Sequence, residues 1–151
     1  MSIMLKAKKL HPNAKLPTKA NKTDAGFDLY ALDSNIVLSS NSCCDSNGTT
    51  VATKIKTGIS LEIPEGYYGL ILDRSSVGSK LIKTLGGVID CGYRGDITVC
   101  LANLSNFDYM VEAGDKIAQI VINKVEFDSI KEVDELSDSE RGEKGFGSSG
   151  Q

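Results

Sequence analysis

The stretch "GVIDCGYRGDITV", residues 87–99, places an aspartate, a tyrosine and an arginine within five positions of one glycine-flanked bend. A plain hairpin needs only Asn-Gly or Asp-Gly at such a place. Asp90 follows Gly87-Val88-Ile89, so its carboxylate emerges where an apolar strand ends, and a carboxylate held there can orient and deprotonate a water molecule. It can equally be a turn aspartate that bonds its own backbone. Tyr93 offers a flat ring beside the carboxylate, a platform for a sugar or a base, or else a partly buried strand aromatic. From these residues alone both readings stand.

Four further segments carry chemistry-bearing residues. In "DRSSVGSK", residues 73–80, Arg74 supplies a guanidinium fork and Ser75 and Ser76 two hydroxyl donors ahead of a short helix, a set suited to an anion. A surface arginine beside a Ser cap is the plainer account, and "GSK" lacks the spacing of a Walker loop. In "AGFDLYA", residues 25–31, Asp28 interrupts a strand-like run and must face solvent, a partner or a metal. In "GDKIAQIVI", residues 114–122, Gln119 sits in an apolar strand and needs hydrogen-bond partners if buried. In "RGEKGFGSSG", residues 141–150, Arg141, Phe146 and Ser148 could close over a nucleotide, or the stretch is a disordered tail.

The elements that must position these groups are strands. Ile59-Ser60-Leu61-Glu62-Ile63 and Ile97-Thr98-Val99-Cys100-Leu101 alternate with period two, and short β-branched runs recur between Gly, Pro, Asn and Asp. Strands are expected near 3–8, 27–32, 36–38, 51–56, 59–63, 67–72, 81–85, 97–102, 109–111, 117–122 and 124–127. A short helix is expected after Ser75. This pattern predicts an all-β sandwich or barrel. The small polar run "SSNSCCDSNGTT", residues 39–50, reads as a surface loop.

The chain has 151 residues, which suits one domain, and its 17 Lys+Arg against 20 Asp+Glu give a net charge of −3. That balance predicts no broad attraction to nucleic acid or to an anionic membrane. Cys43, Cys44, Cys91 and Cys100 form no C-x-x-C pair, and "MSIMLKAKKLHPNAK" lacks the apolar core of a signal peptide. A reducing, cytoplasmic setting is expected, or the host-cell cytoplasm if the source is a virus. The apolar runs "YYGLIL" and "IAQIVI" fall well short of the ~20 residues of a membrane helix.

Taken together and in this order, "AGFDLYA", "DRSSVGSK", "GGVIDCGYRG", "GDKIAQIVI" and "RGEKGFGSSG" resemble the trimeric dUTPase family, over nearly the whole chain. The resemblance implies a jelly-roll-like β fold over 1–136, and an arm, 137–151, that closes over a neighbouring subunit's active site. The assembly would be a homotrimer with sites between subunits. The implied reaction is Mg²⁺-dependent hydrolysis of dUTP to dUMP and pyrophosphate, which keeps uracil out of DNA and supplies dUMP.

By the same resemblance Asp90 would hold the attacking water, and Tyr93 would pack on the deoxyribose. Backbone groups of the hairpin, with Thr84, Gly87, Val88 and Ile89, would read uracil, and Thr98 would complete the nucleoside pocket. Arg74, Ser75, Ser76 and Gln119 would bind phosphates, with Gln119 counted among the catalytic groups beside Asp90 and Arg141. Asp28 would reach Mg²⁺ through water, an ion otherwise held by substrate phosphates. Arg141, Phe146, Gly147 and Ser148 would come with the arm, Phe146 stacking on uracil.

The chain departs from the family pattern at Asp73, where proline is usual, at Cys91-Gly92, and in the loop 39–50. Two other functions compete: a dCTP deaminase of the same fold, and a nucleotide-switched regulator that binds a protein partner through that loop.

Overall fold

The protein is described by a computed structural model covering residues 4–42, 52–140 and 142–143. Among the described residues there are eleven strands and one helical turn: β1 (Lys6–Lys9), β2 (Gly26–Tyr30), β3 (Asn35–Val37), β4 (Thr53–Lys56), β5 (Ile59–Glu62), β6 (Tyr67–Leu72), α1 (Ser75–Gly78), β7 (Ile82–Leu85), β8 (Val88–Ile89), β9 (Thr98–Asn103), β10 (Tyr109–Val111) and β11 (Lys116–Lys124). The architecture is the all-β one that the period-two runs predict, and of the jelly-roll-like kind that the resemblance implies. No helix among the described residues is long and apolar enough to cross a membrane.

All strand pairs are antiparallel. They form the sheets β2-β11-β6-β8 and β4-β9-β7, with β1-β5 and β10-β3 as two-stranded ribbons. Alternation does the sorting: along β9, Val99, Leu101 and Asn103 turn inward while Thr98, Cys100 and Ala102 lie between core and solvent. The buried side chains Leu29, Ile55, Ile59, Ile82, Ile97, Ile117 and Ile120 join them in one core. Asn103 is one of several buried polar residues, and its amide donates to the carbonyls of Val37 (2.9 Å) and Phe107 (2.8 Å), so its burial leaves no donor unmet.

Two elements differ from the sequence reading. The N-terminal strand covers Lys6–Lys9 rather than 3–8, because its register is set by pairing Lys6 with Glu62 and Lys9 with Ile59. The expected strand at 124–127 is absent. β11 instead runs unbroken to Lys124, and beyond Val125, whose N–H reaches the Gly66 carbonyl, no described strand offers a ladder.

β11 also carries a bulge that matters for function. Lys116 lies opposite Tyr30 and Ala118 opposite Leu29, so Ile117 is the extra residue. In a regular strand Lys116 and Gln119, three apart, would face opposite sides. The bulge turns both toward the side of β2 that carries Asp28, while Ile117 and Ala118 both enter the core. Ile120, fully buried and paired on both flanks, anchors this strand. Ile120→Ala is expected to lower the unfolding free energy by about 2–5 kcal/mol, read from urea unfolding at fixed protein concentration.

Candidate active site

Two pockets hold many of the sequence-predicted residues, though not Ser76, Thr84 or Gly87, and they share no lining residue. One, about 210 Å³, is lined by Asp28, Arg74, Ser75, Lys116 and Gln119 with Ala20, Asp24 and Gly26. The other, about 180 Å³, is lined by Val88, Ile89, Asp90, Tyr93, Asp96 and Thr98.

The first pocket is an electrostatic clamp. Asp28 Oδ1 accepts from Arg74 Nε at 2.8 Å and Oδ2 from Lys116 Nζ at 2.7 Å. The hydrogen bond from Lys116 to this carboxylate raises the lysine's pKa above its ordinary value, so it stays charged. Arg74 stands at the N-cap of α1, and its Nη1 also approaches Ser76 Oγ and the Lys116 carbonyl, each at 3.4 Å. Gln119 lies directly across from Asp28 and donates through Nε2 to the Asp73 carbonyl at 2.9 Å. Gly26 leaves room for this side chain, since a Cβ there would fall 2.4 Å from Gln119 Oε1 and displace the amide. The result is a small polar cavity lined by two cations, the hydroxyl-bearing Ser75 and two carboxylates, Asp24 and Asp28, in which Arg74 and Lys116 are the groups that could meet anionic oxygens.

A magnesium ion fits this pocket only in one way. Among the described residues no three His, Cys, Asp or Glu side chains cluster to hold a metal directly. Both Asp28 oxygens are paired with cations, yet each keeps a lone pair that can accept from a metal-bound water. That suits an ion carried mainly by phosphate oxygens and waters.

The second pocket is built on a tight turn. Tyr93 N–H donates to the Asp90 carbonyl at 3.0 Å, Arg94 Nη1 caps the carbonyls of Cys91 (2.6 Å) and Tyr93 (3.0 Å), and Ser60 Oγ donates to the Arg94 carbonyl at 2.7 Å. Arg94 is thus a brace for the turn. The Tyr93 hydroxyl donates to the Asp96 carbonyl at 3.0 Å, which lays the ring across Gly95; a Cβ there would fall 2.3 Å from that hydroxyl. The Asp90 side chain is exposed, and among the described residues it has no hydrogen-bond or ion-pair partner. A fixed ring therefore sits beside an uncommitted carboxylate.

The hairpin that leads here turns through Gly86 (φ 70°) and Gly87 (φ 108°). Gly87 allows close approach as well: its carbonyl accepts from Ile71 N–H at 2.8 Å, and a Cβ would lie 2.9 Å from the Ile71 carbonyl oxygen. Thr84 is buried, and both its N–H and its hydroxyl donate to Asp73 Oδ1, each at 2.7 Å. Arg141, Phe146, Gly147 and Ser148 lie outside the described residues. So do 43–50 of the polar loop. Its beginning is tied down, with Ser39 N–H on Asp108 Oδ1 at 2.8 Å and Ser40 N–H on the Ser105 carbonyl at 3.0 Å.

The dUTPase family model matches residues 12–150. The chain belongs to the dUTPase family. A deoxyuridine 5'-triphosphate nucleotidohydrolase of Swinepox virus is 39% identical over 151 residues, covering 99% of each chain. The enzyme of that name from Anaplasma marginale is 40% identical over 139 residues, 89% of this chain and 88% of its own. Among solved structures, the dUTPase of Staphylococcus bacteriophage 80alpha with dUPNHPP superposes at a TM-score of 0.85 with 32% identity, covering 99% of this chain and all of that one. A dUTPase mutant of phage phi11 of S. aureus, described for its coordination of a structural Mg(II) ion, reaches 0.76 with 27% identity over 90% of this chain.

Within this dUTPase-family chain, reasoning from the sequence missed two residues. Lys116 could not be placed in the pocket because the β11 bulge leaves no mark in the alternation. Asp96 was not singled out, although its carbonyl holds the Tyr93 hydroxyl and its carboxylate accepts from Gly58 N–H at 2.9 Å.

Asp73 accepts from Gln119 through its carbonyl and from Thr84 and Lys83 through its carboxylate. Burial alone pushes its carboxyl pKa up, but the Lys83 ammonium and the Thr84 amide and hydroxyl together hold it below the ordinary value. A lowered folded pKa means that the stabilisation is complete above the unfolded carboxyl value, near ~3.9, and is lost as pH falls through the lower folded value. Asp73→Ala is therefore expected to cost about 1–2 kcal/mol at pH 7, with the deficit shrinking below pH ~4. Urea unfolding at pH 7 and pH 3.5 measures it.

Proposed function

We propose that the chain hydrolyses dUTP to dUMP and pyrophosphate, with each active site shared between copies of a homotrimer. The observation that carries the sharing is the register of the large sheet. Gln119 lies opposite Leu72 on β6, and Ile89, the last residue of β8, lies opposite Gly69. Gln119 and Ile89 are thus three residues apart along the strands and two strands apart across them, about 10 Å by about 10 Å, or about 14 Å in all, and Asp90 follows one residue further on. A general base must reach the attacked centre directly or through one water. That separation favours a site in which the phosphate clamp of one chain and the carboxylate of another serve the same triphosphate.

In the shared site Asp90 orients and deprotonates a water for in-line attack on the α-phosphorus. Tyr93 packs on the deoxyribose, with Val88, Ile89 and Thr98 completing the nucleoside pocket. The backbone of the 84–89 hairpin pairs with uracil's donor and acceptor edge and rejects cytosine, whose pattern is reversed. Arg74, Ser75, Ser76 and Gln119 hold the phosphate oxygens on the neighbouring chain, and Arg74 is already oriented by Asp28 before substrate arrives. Magnesium, when bound with the triphosphate, offsets its charge and that of the leaving pyrophosphate. Asp28 would accept from one of its waters.

A third chain completes the site with its arm. Past Lys124 the apolar side chains stay uncovered: Phe127 is 67% exposed, Ile130 101% and Leu136 88%. A neighbouring surface would cover them, and the arm would then bring Arg141 to the terminal phosphates and Phe146 to the base, with Gly147 and Ser148 beside them.

Asp90→Asn, which keeps the shape of the side chain and removes its basicity, is expected to cut kcat for dUTP at least 100-fold while leaving KM within about threefold. Pyrophosphate release from dUTP and dCTP with Mg²⁺ measures this; full turnover in the variant removes Asp90 as the base. Ammonia release from dCTP would instead favour the deaminase.

A further inference from the structure

The Asp73 side chain joins parts of the molecule that the sheets keep separate. It follows β6 of one sheet and precedes Arg74, yet its carboxylate reaches β7, which belongs to the other sheet. Oδ1 accepts from the Thr84 amide and hydroxyl, each at 2.7 Å, and Oδ2 from Lys83 Nζ at 2.5 Å. Two residues beyond Thr84 the chain turns through Gly86 and Gly87 into β8. That end of the hairpin has its own tie to β6, the Ile71–Gly87 backbone bond. Its other end meets the β6–α1 connection through the Asp73 carboxylate. Arg74 does not depend on this link, because Asp28, Ser76 and the Lys116 carbonyl hold its guanidinium.

We infer that Asp73 is a specificity-determining positioning residue, whose carboxylate, acting through Thr84 and Lys83, fixes the 82–87 hairpin at the height where its backbone reads the nucleobase. The inference rests on the dUTP-hydrolysing reading above. Asp73 touches no substrate. Thr84, expected from the sequence to contact uracil, has both its donors committed to Asp73 and serves as the hairpin's handle. The consequence is one-sided: losing the carboxylate loosens the hold on the nucleoside and leaves the hold on the phosphates intact.

The test uses the full-length assembly with Asp73→Ala, Asp73→Asn and Thr84→Val, comparing kcat and KM for dUTP and dCTP with inhibition by dUMP and by pyrophosphate. Asp73→Ala is expected to raise KM for dUTP and weaken dUMP inhibition on the order of tenfold, with kcat within about threefold and pyrophosphate inhibition unchanged. Discrimination between dUTP and dCTP narrows. Asp73→Asn keeps an acceptor for both Thr84 donors and recovers most of the loss. Where Asp73→Ala does not assemble, Thr84→Val, which keeps the amide bond, shows the same one-sided loss at smaller size. Unchanged dUMP inhibition and discrimination, or equal weakening of dUMP and pyrophosphate, overturns the inference. A wild-type chain inert toward dUTP counts against the activity itself, and the inference falls with it; an active wild type with an indifferent Asp73→Ala counts against the inference alone.

Discussion

The antiparallel register of β11, β6 and β8 is the constraint from which the rest follows. Hydrogen-bonded ladders leave no freedom to slide, because a one-residue slip would exchange core and solvent faces along the whole strand. Once Gln119 pairs with Leu72 and Ile89 with Gly69, the pocket of Asp28, Arg74 and Gln119 and the turn that carries Asp90 are held apart across one sheet. On the reading proposed above, each chain would carry two half-sites, and assembly would complete them.

Each half-site is organised before substrate arrives. In the phosphate half, Asp28 holds one guanidinium and one ammonium, which would otherwise repel each other across a small cavity. Such preorganised cations need little rearrangement when a triphosphate enters. In the nucleoside half, the turn is closed by backbone bonds and braced by Arg94, so the Tyr93 ring is fixed while the Asp90 carboxylate stays uncommitted. Rigid walls around a free base suit attack by a single oriented water.

Much of this was legible in the sequence, and the illegible parts have physical reasons. Period-two alternation located most strands because burial on one face writes itself into residue type, as at Val99 and Leu101. Asp90 with Tyr93, and Arg74 with its serines, left two readings open as residues, and it was the five segments in order, through their resemblance to the dUTPase family, that chose between them. The β11 bulge was invisible, since Ile117 and Ala118 are both apolar and no residue marks the slip; Lys116 went unseen with it. The expected strand at 124–127 failed because alternation reports an amphipathic stretch and not the presence of a partner. Asp73 looked like a charge beside a phosphate ligand, yet its carboxylate turns away toward Lys83 and Thr84, a contact eleven positions distant that only the folded chain brings about.

The most direct test of shared sites is complementation between two inactive chains. Asp90→Asn and Arg74→Ala, each inactive alone, would be refolded together in equal amounts and assayed for pyrophosphate release from dUTP with Mg²⁺. Random trimers pair an intact carboxylate with an intact clamp at about one site in four, so activity should return to about a quarter of wild type. A mixture that stays as inactive as its components, although the chains have demonstrably exchanged, would contradict the account.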